Sequence, residues 1–565
     1  MGNATTRSLE RVASSMGQLG SAPVRFEAAV DIPGGGVLLA LPALLASGLL
    51  RFTPGFYNLP KGYYGIDSIF LLLAMMALAR LTAIEQLRYN APGEWGNLLG
   101  LDRIPEVRCL REKLELLNQQ EGQAAKWNTE LAKEWMGQLP NGETLFYIDG
   151  HVRVYHGSQT ELPRHHVARQ RLCLRATTDY WINAMDGQPF FYVNKEADPG
   201  MLATLRQDLV PWMEANVAIP EQHRERMASD PLQPLFTIIV DREGYSPGFF
   251  AEMEAKGIAI LSYHKYAGAN WPEEEFTVQQ VKLAGGEIVE VKLAERSTSL
   301  SKQLQVREIR KLSQGGHQVA IVSTHRAMEM GRLAAAMFAR WSQENFFKYM
   351  RANYGLDRLA EHGVGPVPDT VSVVNPERRK LDSSIRKTTA QRNLCNAKFG
   401  ALSLEGPLDA QATARYQNQK SELLQRREEL NLELNKLKAE RKLTSRRIAV
   451  KDLPEGERFE RLLPERKHFV DTIKMIAYRA ETSMVHILRE KLVRNDDAHA
   501  LIRGIFDNEV DLLPDLGAKT LTVKLHYLSE NLQDDAVRYL CDQLNETETV
   551  FPGTNLRMIF KLGSK

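Results

Sequence analysis

The first quarter of the chain carries apolar residues at helical spacing. Its two most apolar runs, Gly36–Leu50 and Ile69–Leu81, are shorter than the roughly 18 to 20 residues that a membrane-spanning helix needs. They therefore predict buried helices in a helical N-terminal domain over 25–138, with a role in DNA binding or chain pairing. The small polar residues of 1–24 show no periodicity and predict a loose terminus.

The pattern changes from helical to alternating near residue 139. Three strand-like runs, LFYIDGHVRV, RLCLRATTDYWIN and PFFYVNK, precede a helical stretch and a fourth strand, LFTIIVD. This order predicts the first part of a mixed-sheet domain over 139–272. Further alternating runs predict a β-rich insertion over 273–325, and 326–362 would hold the last helix of the domain.

The C-terminal third of the chain is more strongly charged. It predicts a basic linker over 363–410, a charged helical hairpin over 411–500 and a small α/β module over 501–565. Leucines recur seven residues apart in the hairpin segment, but Arg427 occupies an alternate heptad position where an apolar residue is wanted. The pattern favours a hairpin within one chain over an extended two-chain coiled coil.

Composition narrows the class of protein without naming a function. The 565 residues, 43% of them hydrophobic, suffice for several domains with ordinary cores. Because the formal net charge is only +2, any affinity for nucleic acid must come from local basic patches. The four cysteines are widely spaced and form no CxxC pair, which indicates neither a disulfide framework nor a zinc site and favours a reducing cytoplasm.

Two aspartates end hydrophobic strands. Asp149 follows LFYI, and Asp241 follows FTIIV. Strand ends often carry reactive side chains, because the strands fix position while the following loops leave room for a ligand. An aspartate after a strand is also an ordinary turn former, so either residue alone indicates little. A third acidic residue held near these two aspartates by the same fold would indicate a functional site.

The predicted helix MFARWSQENFFKYMR places one carboxylate, Glu344, in a column of cations. At 3.6 residues per turn, Arg340, Lys348 and Arg351 share its stripe. The stripe is either a solvated face with i,i+4 ion pairs or a metal-binding carboxylate flanked by phosphate-binding cations. Glu481 is an alternative third acid without such a stripe.

The same helix carries a family signature. The signature is Tyr, two residues, Arg, three residues, Glu, six residues and Lys, and Met337, Arg340, Glu344 and Arg351 occupy its four positions. With the strand order and the insertion, this pattern resembles the DDE transposases of the insertion-sequence "IS-four" family. The resemblance implies an RNase H-like mixed-sheet catalytic domain with an all-β insertion, flanked by a helical N-terminal module and helical and α+β C-terminal modules. Arg351 keeps a cation in the Lys position, whereas Met337 removes a hydroxyl.

The resemblance also implies a metal site and a DNA interface. Asp149, Asp241 and Glu344 would be the catalytic residues and would hold two Mg²⁺ ions, for which Mn²⁺ can substitute. Trp271, at the entry to the insertion, would either stack on a flipped base or pack the insertion hairpin. The expected DNA contacts are Arg340, Lys348, Arg351 and Trp271.

The function implied by the resemblance is DNA transposition. Two protomers, as a homodimer, would pair the terminal inverted repeats, cleave them and join the freed 3′ ends to target DNA. The setting would be the bacterial cytoplasm, on the nucleoid and away from membranes. A structure-specific nuclease of the resolvase type would cut without joining, and a non-catalytic DNA-binding protein derived from a transposase would do neither.

Overall fold

The structure, a computed structural model, describes most of the chain. The described residues are 5–139, 144–157, 162–167, 170–195, 199–283, 286–301, 304–358, 364–369, 371–403, 409–455, 458–492, 497–528 and 531–563. Helices and strands alternate along them and build mixed sheets, so the predicted mixed α/β class is confirmed.

The helices range from single turns to a helix of 34 residues. They are α1 Ser8–Ser15, α2 Leu41–Ala46, α3 Thr53–Phe56, α4 Ile66–Leu78, α5 Pro92–Leu98, α6 Val107–Leu117, α7 Gln123–Gly137, α8 Met201–Thr204, α9 Val210–Asn216, α10 Glu221–Ser229, α11 Pro247–Ala255, α12 Met330–Phe338, α13 Arg340–Tyr354, α14 Pro376–Gly400, α15 Ala410–Leu443, α16 Glu465–Arg489, α17 Asp497–Asp507 and α18 Asn531–Glu546. Among the described residues, none of these helices combines the length and the apolar character needed to cross a bilayer.

The strands fall into four sheets within the described residues. They are β1 Ala29–Ile32, β2 Leu145–Val154, β3 Arg164–Val167, β4 Leu172–Asn183, β5 Pro189–Lys195, β6 Thr237–Val240, β7 Ala259–Tyr263, β8 Thr277–Lys282, β9 Ile288–Ser299, β10 Gln305–Leu312, β11 Gln318–Ser323, β12 Val364–Pro366, β13 Ser372–Val374, β14 Arg447–Ala449, β15 Glu460–Leu462, β16 Val510–Asp515, β17 Thr520–His526 and β18 Arg557–Gly563.

The largest sheet is mixed, and its strands come from the middle of the sequence, from β2 to β11. Strands β5, β4, β2, β6 and β7 lie side by side in that order, with β2, β6 and β7 parallel. Strand β4 is antiparallel to β2, to β5 and to β3, which pairs with the first residues of β4. Strand β7 then pairs antiparallel with β11, and β10, β9 and β8 continue outward. The strands within 273–325 therefore extend the same sheet instead of forming one of their own.

The N-terminal segment is held in place. The prediction of a loose terminus over 1–24 is wrong for the described residues 5–24, which contain α1; residues 1–4 lie outside the described residues. The Arg7 guanidinium donates to the backbone carbonyls of Pro23 (2.6 Å) and Gly100 (2.9 Å). Strand β1 pairs antiparallel with β16 in the sheet β1-β16-β17-β18. Because strand pairing over such a sequence separation leaves no local pattern, the sequence did not reveal that the two ends of the chain share a sheet.

The charged C-terminal helices also differ from the expected arrangement. The segment expected to be a basic linker contains α14, whose N-cap residue, Asn375, accepts a hydrogen bond from the Glu377 backbone N–H at 3.0 Å. Helix α14 packs against α15, and the Cys395 thiol donates to the Leu423 carbonyl at 3.3 Å. The hairpin therefore forms between α14 and α15, while α16 lies in the core against α2, α4 and α7.

Helix α16 carries Glu481 into a buried ionic network behind α13. Its carboxylate accepts hydrogen bonds from the Arg80 guanidinium at 2.6 Å, from the Tyr349 hydroxyl at 2.5 Å and from the Tyr354 hydroxyl. Burial alone would raise the pKa of Glu481, but contacts with His499 and Arg80 lower it to about 2. The network ties the N-terminal helices, α13 and α16 together.

Removing one partner of this network should be costly. We expect Glu481→Leu to lower the free energy of unfolding by about 3–5 kcal/mol, because the Arg80 guanidinium, 13% exposed, would stay buried without its counter-ion. Urea unfolding followed by circular dichroism measures the change. The matched control is Glu112→Leu, which breaks the surface pair with Arg108, whose side chain is 92% exposed; it should change the free energy by less than about 1 kcal/mol. Equal losses in both variants would contradict the assignment.

Candidate functional site at β2 and the end of β6

The register between β2 and β6 places two carboxylates side by side. The strands are parallel, and Ile148 of β2 pairs with Val240 of β6. Asp149 directly follows Ile148 and Asp241 directly follows Val240, and neighbouring strands lie about 4.8 Å apart. Strand β6 ends at Val240, so Asp241 lies at the end of its strand as predicted. Strand β2 continues to Val154, so Asp149 lies within its strand, and the prediction that it ends the strand is wrong.

The helix expected to carry the third acid is broken in two. Helix α12 ends at Phe338 and α13 begins at Arg340, so the predicted continuous helix from Met337 onward is wrong. At the break, the Tyr147 hydroxyl donates to the Ala336 carbonyl at 2.7 Å and satisfies one of the carbonyls that the end of a helix leaves without a partner. Met337 is fully buried among apolar residues of α12 and the sheet. A methionine suits that apolar position.

Helix α13 is fixed to the sheet beneath the two aspartates. The Gln343 side-chain amide, almost fully buried, donates to the Asn183 side-chain oxygen at 2.8 Å and to the Tyr147 carbonyl at 3.2 Å. Phe347 stacks on the imidazole of His151, with 5.0 Å between the ring centroids. These contacts set the height and rotation of α13, and they present its first turn to the aspartates.

Arg340 joins the third acid to the first. Its guanidinium lies 3.5 Å from Asp149 Oδ2 and donates to Glu344 Oε1 at 2.5 Å. The side chains are 16% exposed for Arg340, 20% for Asp149 and 37% for Glu344, so the group is screened from water but still reachable. Asp241 is half-buried, and its Oδ1 accepts from the Glu243 backbone N–H at 2.7 Å.

The electrostatics show that all three acids share one neighbourhood. Burial raises the pKa of Asp149 to about 7; Arg340 opposes the rise, and the carboxylates of Asp241 and Glu344 add to it. Burial tends to lower the pKa of Arg340, but the same three carboxylates raise it. A carboxyl group with so high a pKa among other acids is typical of a functional site.

The three carboxylates do not form a closed cage. Among the described residues, one group of three acidic or histidine side chains brings its ligand atoms within 4.8 Å of one another, and it comprises Asp31, Glu509 and His526 in the β1-β16-β17-β18 sheet. Next to β2, the guanidinium of Arg340 instead lies beside both Asp149 and Glu344.

The other predicted DNA contacts take different positions. Lys348 is exposed on α13. Arg351 Nε lies 3.7 Å from an oxygen of Asp357, whose other oxygen is 2.6 Å from His151 Nε2. His151 follows Asp149 by two positions, which places it on the same face of β2, but no sequence pattern pointed to Asp357. Glu481, the alternative third acid, belongs to the Arg80 network and does not contact these aspartates.

Trp271 is packed into the insertion strands. It is 8% exposed and lies in a small apolar cluster with Phe276. The guanidinium carbons of Arg296 and Arg310 lie 4.5 and 4.4 Å from its ring centroid. Its ring therefore serves cation–π contacts within the protein, as the packing alternative expected, and stacking on a base would require these arginines to move.

Comparisons with known proteins identify the family of the chain. A search of curated proteins found no match. Among solved structures, the chain is similar to one described as a cryo-EM structure of a piggyBac transposase synaptic complex with hairpin DNA, at 10% sequence identity and a TM-score of 0.28 over 85% of this chain and 83% of that one. A family model described as "Transposase protein" matches residues 2–564, nearly the whole sequence. The chain therefore belongs to this family of transposases.

Proposed function

We propose that the protein cleaves DNA at transposon ends and transfers the 3′ ends to target DNA, with Asp149, Asp241 and Glu344 as its catalytic residues. The observation that carries this proposal is the in-register pairing of β2 with β6, which sets the two aspartates side by side. The raised pKa of Asp149, to which both other acids contribute, supports the same grouping. We further propose that β2 to β7, in the order β5-β4-β2-β6-β7, form an RNase H-like catalytic sheet interrupted by β8–β11 before Glu344.

The donor set suits divalent metal ions with oxygen ligands. Three carboxylates in a screened position, one of them with a pKa raised to about 7, are what a Mg²⁺ or Mn²⁺ site presents without its ions. When bound, such ions would activate a water or a 3′-hydroxyl and stabilise the leaving oxygen of a phosphodiester. Asp149, Asp241 and Glu344 would hold them. Arg340, released from its two acids, would then be free to contact a phosphate.

Four more detailed proposals about the family, the oligomer, the DNA contacts and the location of the protein rest on the sequence alone. Membership of the "IS-four" family depends on the spacing of Arg340, Glu344 and Arg351 and stays a prediction. The same holds for a homodimer that pairs two DNA ends, for phosphate contacts by Lys348 and Arg351, and for a place on the bacterial nucleoid. The two alternatives, a resolvase-type nuclease and a non-catalytic DNA-binding protein, differ from a transposase in measurable products.

Substitution of the acids tests the catalytic assignment. We expect Asp149→Asn, Asp241→Asn and Glu344→Gln each to reduce nicking of a plasmid that carries the DNA flanking this coding frame by about 10³-fold or more, because each removes a charged ligand worth several kcal/mol of transition-state stabilisation. Gel electrophoresis measures the nicked product and the joined 3′ ends. Glu274→Gln, at an exposed acid of the insertion, is the control and should nick normally. Full nicking by the triple variant would refute the assignment, and nicking without joining would identify a nuclease.

The pKa of Asp149 predicts how metal binding depends on pH. Because this pKa is raised above its unfolded value, the group makes folding progressively less favourable as pH rises from about 4 to 7. A metal ion requires the ionised form, so stabilisation by Mg²⁺ or Mn²⁺ should increase through the same window. Thermal unfolding with and without the metal at pH 5, 6, 7 and 8 measures this. In Asp149→Asn, the increase in unfolding temperature caused by the metal should be smaller and should lose most of its pH dependence. A pH dependence equal to that of wild type would contradict the assignment.

A further inference from the structure

A cleft of about 520 Å³ lies beside the catalytic sheet. Gly150, Val152 and Tyr180 contribute to one side of it, and the first turn of α14 with the chain around Phe459 contributes to the other. The cleft therefore lies between the paired strands β2 and β4 and the base of the α14–α15 hairpin. No local sequence pattern indicates this cleft, since segments hundreds of residues apart form its walls.

Three arginines line this cleft: Arg164 of β3, Arg379 of α14 and Arg458 before β15. All three are exposed, and within the described part of the chain none has a carboxylate partner or a side-chain hydrogen bond. Arginines elsewhere on the surface are commonly paired, as Arg206 is with Glu252 at 2.7 Å. Three guanidinium groups without a carboxylate partner among the described residues lie on one concave surface, and they make a local positive field although the whole chain is nearly neutral.

The cleft borders the catalytic acids. Gly150 directly follows Asp149, and Glu243, which also lines the cleft, follows Asp241 by two positions. Side chains alternate along a strand, so the cleft lies on the face of β2 opposite the Asp149 carboxylate. Since β6 ends at Val240, the edge of β2 beyond Asp149 has no neighbouring strand on that side among the described pairings. An extended polymeric ligand could therefore run around this edge from the cleft to the acids.

We propose that this cleft binds the phosphodiester backbone of the DNA next to the bond that is cut. The inference rests on the proposed function for the choice of DNA. Arginine is suited to this task, because its planar guanidinium donates two parallel hydrogen bonds to a phosphate and stays charged at any working pH. The contacts involve the backbone, so they position the DNA without reading its sequence.

Direct binding tests the proposal without requiring catalysis. The variant Arg164→Gln/Arg379→Gln/Arg458→Gln is compared with wild type by fluorescence anisotropy on a labelled duplex of arbitrary sequence and on one of its single strands. Each lost phosphate contact should reduce the slope of log K against log salt by about 0.9 on the duplex, hence by about 2.7 for three. We expect affinity to fall at least 10-fold in low salt. Arg379→Gln alone should change the slope by about 0.9.

The control removes the same charge elsewhere. Lys61, Arg88 and Lys561 are exposed and have no ion-pair partner among the described residues. Their triple replacement by glutamine should leave both affinity and slope unchanged. Thermal unfolding should be the same for both triple variants, since none of the six side chains has such a partner to lose. An excess of inorganic phosphate should weaken binding by wild type more than by the cleft variant.

The outcomes separate this proposal from the proposed function. Wild-type affinity and slope in the cleft variant, or equal losses in the control variant, would overturn the role of the cleft whatever the nicking assay shows. Weakened binding in the cleft variant alone supports it, including when Asp149→Asn still nicks DNA and the catalytic assignment fails. Asp149→Asn itself should bind DNA at least as tightly as wild type, because it removes a negative charge. Absence of DNA binding by wild type would overturn the cleft proposal as well.

Discussion

The register between β2 and β6 is the constraint on which the candidate site depends. A parallel pair aligned at Ile148 and Val240 leaves Asp149 and Asp241 as immediate neighbours, and a shift by one residue would turn one carboxylate to the other face. The other contacts of the site follow from this alignment. The Tyr147 hydroxyl ends α12, and the Tyr147 carbonyl accepts from Gln343 of α13, so the strand that carries the first acid also positions the helix that carries the third.

Behind this site, the structure places charged groups in the core. Glu481 and Arg80 join α16 to the N-terminal helices, and the Asp471 carboxylate lies between the ammonium groups of Lys467 and Lys474. Buried ion pairs add little net stability over apolar packing, because the charges lose their hydration. They do penalise alternative arrangements, since a shifted helix would leave a charge without its partner. We infer that such pairs fix α13 and α16 in one position relative to the sheet.

The elements whose formation depends on neighbouring residues could be predicted from the sequence. The strands before Asp149 and Asp241 and the apolar helices of the N-terminal region follow from period and composition, and they are present. At the break near Ala339, the Ala336 carbonyl accepts a hydrogen bond from the distant Tyr147 hydroxyl, and the pairing of β1 with β16 joins residues at opposite ends of the chain. Neither leaves a mark in the neighbouring sequence. The helix α14 was missed because few of its residues are apolar enough to reveal its contact with α15.

The charge distribution shows why a nearly neutral chain can act on a polyanion. At the acids, three carboxylates face one guanidinium, so the site without metal repels a phosphate. In the cleft on the other face of β2, three arginines that have no carboxylate partner among the described residues would attract one. This separation of charge would let the protein hold DNA through the arginines while the acids remain free to take up cations. Binding and cutting would then depend on different residues, so each can be lost without the other.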